Sequence, residues 1–138
     1  VTIATLPVPV SDVGGFGVVK LDDEGRVVAF TEKPQDQKTI DEYRTPQEWI
    51  RGRGLEPNGR EHLASMGIYL FRRDVLVDLL TQYEHTDFGK EVFPNSISSH
   101  RVQSYLFDGY WEDVGTIRSF MKANLALTSE NPPMNLDT

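Results

Sequence analysis

The sequence predicts a mixed α/β fold, with β-rich segments alternating with segments of helical spacing along its 138 residues. A hairpin signal near the start adds antiparallel pairing, so the sheet is expected to be mixed rather than purely parallel. Length suits one domain, or one large piece of one, able to bury a core.

Thr2–Pro7 alternates small and apolar residues and reads as a strand, with Pro7 and Pro9 marking an edge or an exit. Ser11–Gly15 reads as a loop. Phe16–Leu21 and Arg26–Thr31 are β-rich across a turn holding Asp23, Glu24 and Gly25, which predicts the hairpin. Glu32-Lys33-Pro34 ends it, and Pro34 is expected to hold Lys33 extended. Between Gln35 and Arg60 a helix is expected at Thr45–Ile50, with Thr45 as cap and Pro46 in its first turn; the rest reads as an exposed excursion. Leu63–Phe71 is nearly continuously apolar and reads as a buried central strand.

Asp74–Tyr83 has helical spacing, Glu84–Asp87 reads as a loop, and Phe88–Ser99 holds a short helix that Pro94 starts or breaks. Arg101–Phe107 reads as a strand, Tyr110–Asp113 as a short strand or its end. A helix from Thr116 to Leu127 places Ile117, Phe120, Met121, Asn124 and Leu125 on one face, with Thr116 as cap. Residues 1–128 are expected to form one structural piece, and 129–138, with Pro132-Pro133, a linker toward a further domain outside this chain.

The net charge of −7 argues against nucleic acid and anionic membranes as partners. No apolar run approaches the ~20 residues of a membrane helix. No secretory signal is visible, and the chain contains no cysteine, so disulfide and thiolate chemistry are excluded and a cytoplasmic setting is expected. His62, His85 and His100 lack metal-ligand spacing.

Several residues are candidates for chemistry. Lys33, between a strand end and a proline, offers a compact cation for a phosphate, with Glu32 beside it as an acceptor for hydroxyls; the alternative is a solvated hairpin end. Asp113, just before a helix, suits Mg²⁺ or serves as a cap. Trp111 and Phe88 offer faces for a sugar ring, with Asp87 for hydroxyls, or else belong to the core. Ser65 and Tyr69, four apart on a strand, share a face and line a pocket or a sheet edge.

Phe16-Gly17-Val18, Gly25-Arg26-Val27 and Phe30-Thr31-Glu32-Lys33-Pro34 resemble the pattern of sugar-1-phosphate nucleotidylyltransferases. Ala64–Tyr69, Asp87–Pro94, Tyr110–Thr116 and Asn124–Leu127 are similar, in order and spacing, to the ADP-glucose pyrophosphorylases (glucose-1-phosphate adenylyltransferases). The resemblance implies a Rossmann-like nucleotide-diphospho-sugar transferase sheet flanked by helices, in an allosteric homotetramer that makes the glycogen or starch precursor. It implies ATP and glucose 1-phosphate as substrates, ADP-glucose and pyrophosphate as products, and Mg²⁺ as cofactor. By the same resemblance, Lys33 binds the sugar phosphate and Glu32 the glucose. Ser65, Tyr69, Asp87, Phe88 and Trp111 line the glucose pocket, and Asp113 is one of two metal-binding aspartates.

The chain carries no glycine-rich phosphate loop, so it is expected to be the C-terminal half of a catalytic domain, inactive alone. The alternatives are a nucleotidylyltransferase of another base or sugar, and a non-catalytic regulatory paralogue that binds sugar phosphates. Gly14-Gly15 departs from the family pattern.

Overall fold

A computed structural model describes residues 1–82 and 87–135. The elements are β1 (Thr2–Val8), a 3₁₀ turn (Val10–Gly15), β2 (Gly17–Leu21), β3 (Val27–Glu32), α1 (Gln37–Glu42), α2 (Gln47–Arg51) and β4 (His62–Leu70). They continue with α3 (Arg73–Gln82), a π-helical turn (Phe88–Val92), α4 (Phe93–Ser99), β5 (Gln103–Leu106) and α5 (Ile117–Leu127). One unit runs from Val1 to Phe107 and a second begins at Asp108.

In the first unit the five strands form one mixed sheet in the order β3-β2-β4-β1-β5. The hairpin is present: β2 pairs antiparallel with β3, matching Gly17 to Glu32 and Val19 to Phe30. Its turn is tied by Asp22, whose Oδ1 accepts from the Glu24 and Arg26 amides at 3.0 and 2.8 Å. Gly25 sits there at φ +79°, a left-handed geometry that favours glycine.

The sheet curls until its outer strands meet at one end. The Val27 amide donates to the Val102 carbonyl at 2.9 Å, and Arg26 bridges Gln103. Ile3, Val19, Val27, Leu63, Phe93 and Val102 are buried together on one face. Val8, Val13, Val18 and Ala64 form the other cluster. Burying each large side chain contributes about 1.5–3 kcal/mol.

β1 lies inside the sheet, antiparallel to β4 and parallel to β5, so Pro7 does not mark an edge, while Pro9 marks the exit just past Val8. Pro7 pairs with Leu63 of β4 and lies beyond the Thr2–Thr5 stretch that β5 pairs with, so it does not interrupt the β1–β5 ladder. β4 is third of five strands, but only its first half is buried. Leu63 and Ala64 contribute to opposite clusters, whereas Ile68 and Leu70 are exposed beyond Gly67.

Three local expectations change. Ser11–Gly15 lies in a 3₁₀ turn that buries Val13. The stretch after Pro34 packs against the sheet: α1 is capped by Asp36, whose Oδ1 accepts from the Thr39 amide at 2.9 Å, and Ile50 and Thr45 are buried. α2 starts one residue late, because Pro46 has extended ψ (135°) and occupies the capping position. The Thr45 amide instead donates to the Glu61 carbonyl at 2.7 Å, and its buried hydroxyl has no partner among the described residues. The Glu84–Asp87 loop, apart from Asp87, and the end of the Asp74–Tyr83 helix lie outside the described residues, as does His85.

In the second unit Tyr110–Asp113 is irregular rather than a strand. Thr116 caps α5 as expected: its Oγ1 accepts from the Ser119 amide at 3.0 Å, and the Ser119 hydroxyl accepts from the Thr116 amide at 3.2 Å. Ala replacing Thr116 is expected to cost about 1 kcal/mol, read as earlier amide exchange in the first turn of α5. The face bearing Ile117, Phe120, Met121 and Leu125 is exposed.

Candidate functional site

The expected pocket residues of the first unit meet around Tyr69. Ser65 and Tyr69 pair with Thr5 and Ile3 of β1, which are two apart and so share a face. β4 spends four residues from Ser65 to Tyr69 against two on β1, a bulge centred near Gly67 at φ +70°. The even surplus keeps Ser65 and Tyr69 on one side.

The Tyr69 ring stacks near Phe88 at 6.2 Å between centroids and lies 5.3 Å from Phe93. Phe93 meets Phe30 edge-on, also at 5.3 Å, and Phe71 flanks both Tyr69 and Phe88. Phe30, Phe71 and Phe93 were not singled out as pocket residues by the sequence. The signal for Phe71 was present, since it lies two residues beyond Tyr69. Phe88 is 43% exposed, so one edge of this aromatic wall is open to a ligand.

Charge surrounds the phenol. Burial is the main influence pushing the Tyr69 hydroxyl above its usual pKa of 10.0; a hydrogen bond with Ser65 opposes this, and the carboxylates of Glu32 and Asp87 reinforce it. Tyr69 therefore remains a donor at neutral pH. Its raised folded pKa contributes stability that is present below pH 10 and lost as pH rises through the folded value. Denaturation profiles should show this loss above pH 10, smaller in Tyr69→Phe; identical profiles would contradict it.

Glu32 reaches this face because Gly17, opposite it, has no side chain. A Cβ there would stand 2.7 Å from Glu32 Oε2 and 2.5 Å from the Phe30 ring. Asp87 caps the π-helical turn: its Oδ1 accepts from the Lys90 amide at 2.8 Å, while Glu91 Oε2 accepts from the Asp87 amide at 3.1 Å. One carboxylate oxygen thus has a structural task.

Lys33 departs from expectation. Its φ is +47°, a left-handed conformation, not an extended one. The proline rule disfavours the right-handed helical region; here backbone hydrogen bonds select the left-handed one. The Lys33 amide donates to the Phe16 carbonyl at 3.0 Å. Such a conformation costs about 1–2 kcal/mol outside glycine and is concentrated at functional sites. The ammonium is exposed, 3.7 Å from Glu32 Oε1.

A family model described as nucleotidyl transferase matches residues 1–130. The chain belongs to the nucleotidyl transferase family. Its mixed sheet flanked by helices is the fold that family implies, and nucleotidyl transfer is the general chemistry. No helix among the described residues is long and apolar enough to cross a membrane.

The transferase's second unit carries Trp111 and Asp113. Trp111 lines a largely apolar cavity of about 360 Å³ with Tyr110, Phe120, Leu127 and Met134. Asp113 is exposed and does not cap α5; its Oδ1 accepts from the Gly115 amide at 2.9 Å. Among the described residues no group of three or more His, Asp or Glu is placed to hold a metal ion. Asp113 by itself would supply one oxygen ligand to a Mg²⁺ ion, whose charge would offset that on the reacting phosphates.

Proposed function

We propose that the chain forms the sugar-phosphate side of a glucose-1-phosphate adenylyltransferase, a nucleotidyl transferase joining ATP and glucose 1-phosphate into ADP-glucose and pyrophosphate. The observation that carries this reading is the convergence on Tyr69 of an aromatic wall, a hydroxyl and two carboxylates. Sugars are held by such combinations, with apolar faces on rings and hydroxyls on acceptors.

In this reading Phe88 takes a face of the glucose ring. Glu32 and Asp87 accept from its hydroxyls, and Ser65 and Tyr69 complete the polar lining. Lys33 neutralises the sugar phosphate, whose oxygen attacks the α-phosphorus of ATP as pyrophosphate departs. The chain's work is alignment and charge stabilisation, and no covalent protein intermediate is needed. Asp113 is assigned one metal-ligand oxygen and Trp111 a glucose-binding role, each supported by the motif around it. The enzyme is read as a cytoplasmic, allosterically controlled homotetramer.

Product analysis tests this directly. An active enzyme containing this chain, given glucose 1-phosphate and each common nucleoside triphosphate, is expected to make ADP-glucose preferentially. The 138-residue chain alone is expected to make none. A different preferred nucleotide sugar, or synthesis by the isolated chain, would overturn the assignment.

A further inference from the structure

The Lys33 carbonyl is held by a residue that the site just described does not use. The side-chain Nε2 of Gln35 donates to the Lys33 carbonyl at 3.0 Å and to the Gly14 carbonyl at 3.1 Å. One amide thus ties the end of β3 to the end of the 3₁₀ turn. With the Lys33 amide already bound to Phe16, both backbone polar groups of Lys33 are engaged.

The glycine pair before Phe16 supplies the room. A Cβ on Gly14 would stand 3.1 Å from Gln35 Nε2, closer than ordinary contact, whereas one on Gly15 would meet nothing within 4 Å. Gly14 is therefore the glycine that admits the amide. Only a donor serves at position 35, because both partners are carbonyl oxygens.

We propose that Gln35, admitted by Gly14, is a positioning residue that locks the Lys33 backbone left-handed and so aims its ammonium at the phosphate of a phosphorylated sugar. This rests on the sugar-phosphate reading above. Without the tie, the residue before Pro34 relaxes toward the extended region that proline favours. The side chain then leaves Cα in a different direction, away from its place beside Glu32.

The test uses the 138-residue chain with Gln35→Ala and Gln35→Glu. Glutamate keeps the size but at neutral pH donates nothing, so a packing role would survive it. Backbone scalar couplings read φ at Lys33, and titrations compare glucose 1-phosphate with glucose. Both variants are expected to lose the left-handed signature while retaining the melting temperature within a few degrees. Each should bind glucose 1-phosphate about fivefold more weakly, with glucose little changed.

Retention of both the Lys33 coupling and the affinity in the two variants would overturn the proposal. Equal weakening for glucose and its phosphate would also overturn it, since that is general loosening of the pocket. Lys33→Gln is the control for the underlying reading. If it leaves glucose 1-phosphate affinity unchanged, the phosphate assignment fails whatever the Gln35 variants do to the backbone.

Discussion

Replacing Asp113 by asparagine in an active enzyme containing this chain is expected to cut turnover about 10²-fold or more, equal to about 2.7 kcal/mol at the transition state. The substitution separates chemistry from structure cleanly. Thr116, not Asp113, caps α5. The hydrogen bond Asp113 does make, from the Gly115 amide to Oδ1, is one an asparagine oxygen accepts equally well. The loop should therefore persist in the variant while the charge is lost. Added Mg²⁺ should recover little of the rate. Turnover near that of the wild type would return Asp113 to a purely local role in the loop before α5.

Replacing Lys33 by glutamine is expected to raise the Michaelis constant for glucose 1-phosphate about tenfold, or about 1.4 kcal/mol, with the constant for ATP nearly unmoved. The size is set by exposure: the ammonium is 59% accessible, so water competes for the phosphate and screens the contact. A larger loss would imply that substrate closes this end of the sheet over the ammonium. Equal effects on both substrates would remove Lys33 from the sugar-phosphate role, because a phosphate contact confined to one substrate cannot weaken both alike.

What the sequence made legible follows from periodicity and punctuation. The hairpin was readable because Asp22–Gly25 is a turn between two β-rich runs, and α5 because Thr116 precedes an apolar helical pattern. The shared face of Ser65 and Tyr69 was also readable, though for an incomplete reason. A bulge at Gly67 intervenes, and its surplus happens to be even.

Other features depend on contacts distant in sequence. α1 lies in a polar stretch whose cap, Asp36, gives a weak signal without an apolar run behind it. Thr45 looked like a cap, but pairing of its amide with Glu61 claims the backbone first. The curl that joins Val27 to Val102 has no local signature. The conformation of Lys33 lies beyond a nearest-neighbour rule, because Phe16 holds its amide and Gln35, tied to Gly14, holds its carbonyl. The roles of Gly17 and Gly14 could not be read locally either, since each makes room for a side chain from another segment.

The central claim is that a sugar phosphate binds the face of the sheet bearing Tyr69, with its phosphate at Lys33. The most direct measurement is a titration of the isotope-labelled chain with glucose 1-phosphate, followed by nuclear magnetic resonance at assigned residues, with ATP as the comparison ligand. The account predicts saturable shifts at Glu32, Lys33, Ser65, Tyr69 and Phe88 with the sugar phosphate and none there with ATP. Shifts from glucose 1-phosphate that are absent at these positions, or that ATP reproduces there, would contradict it.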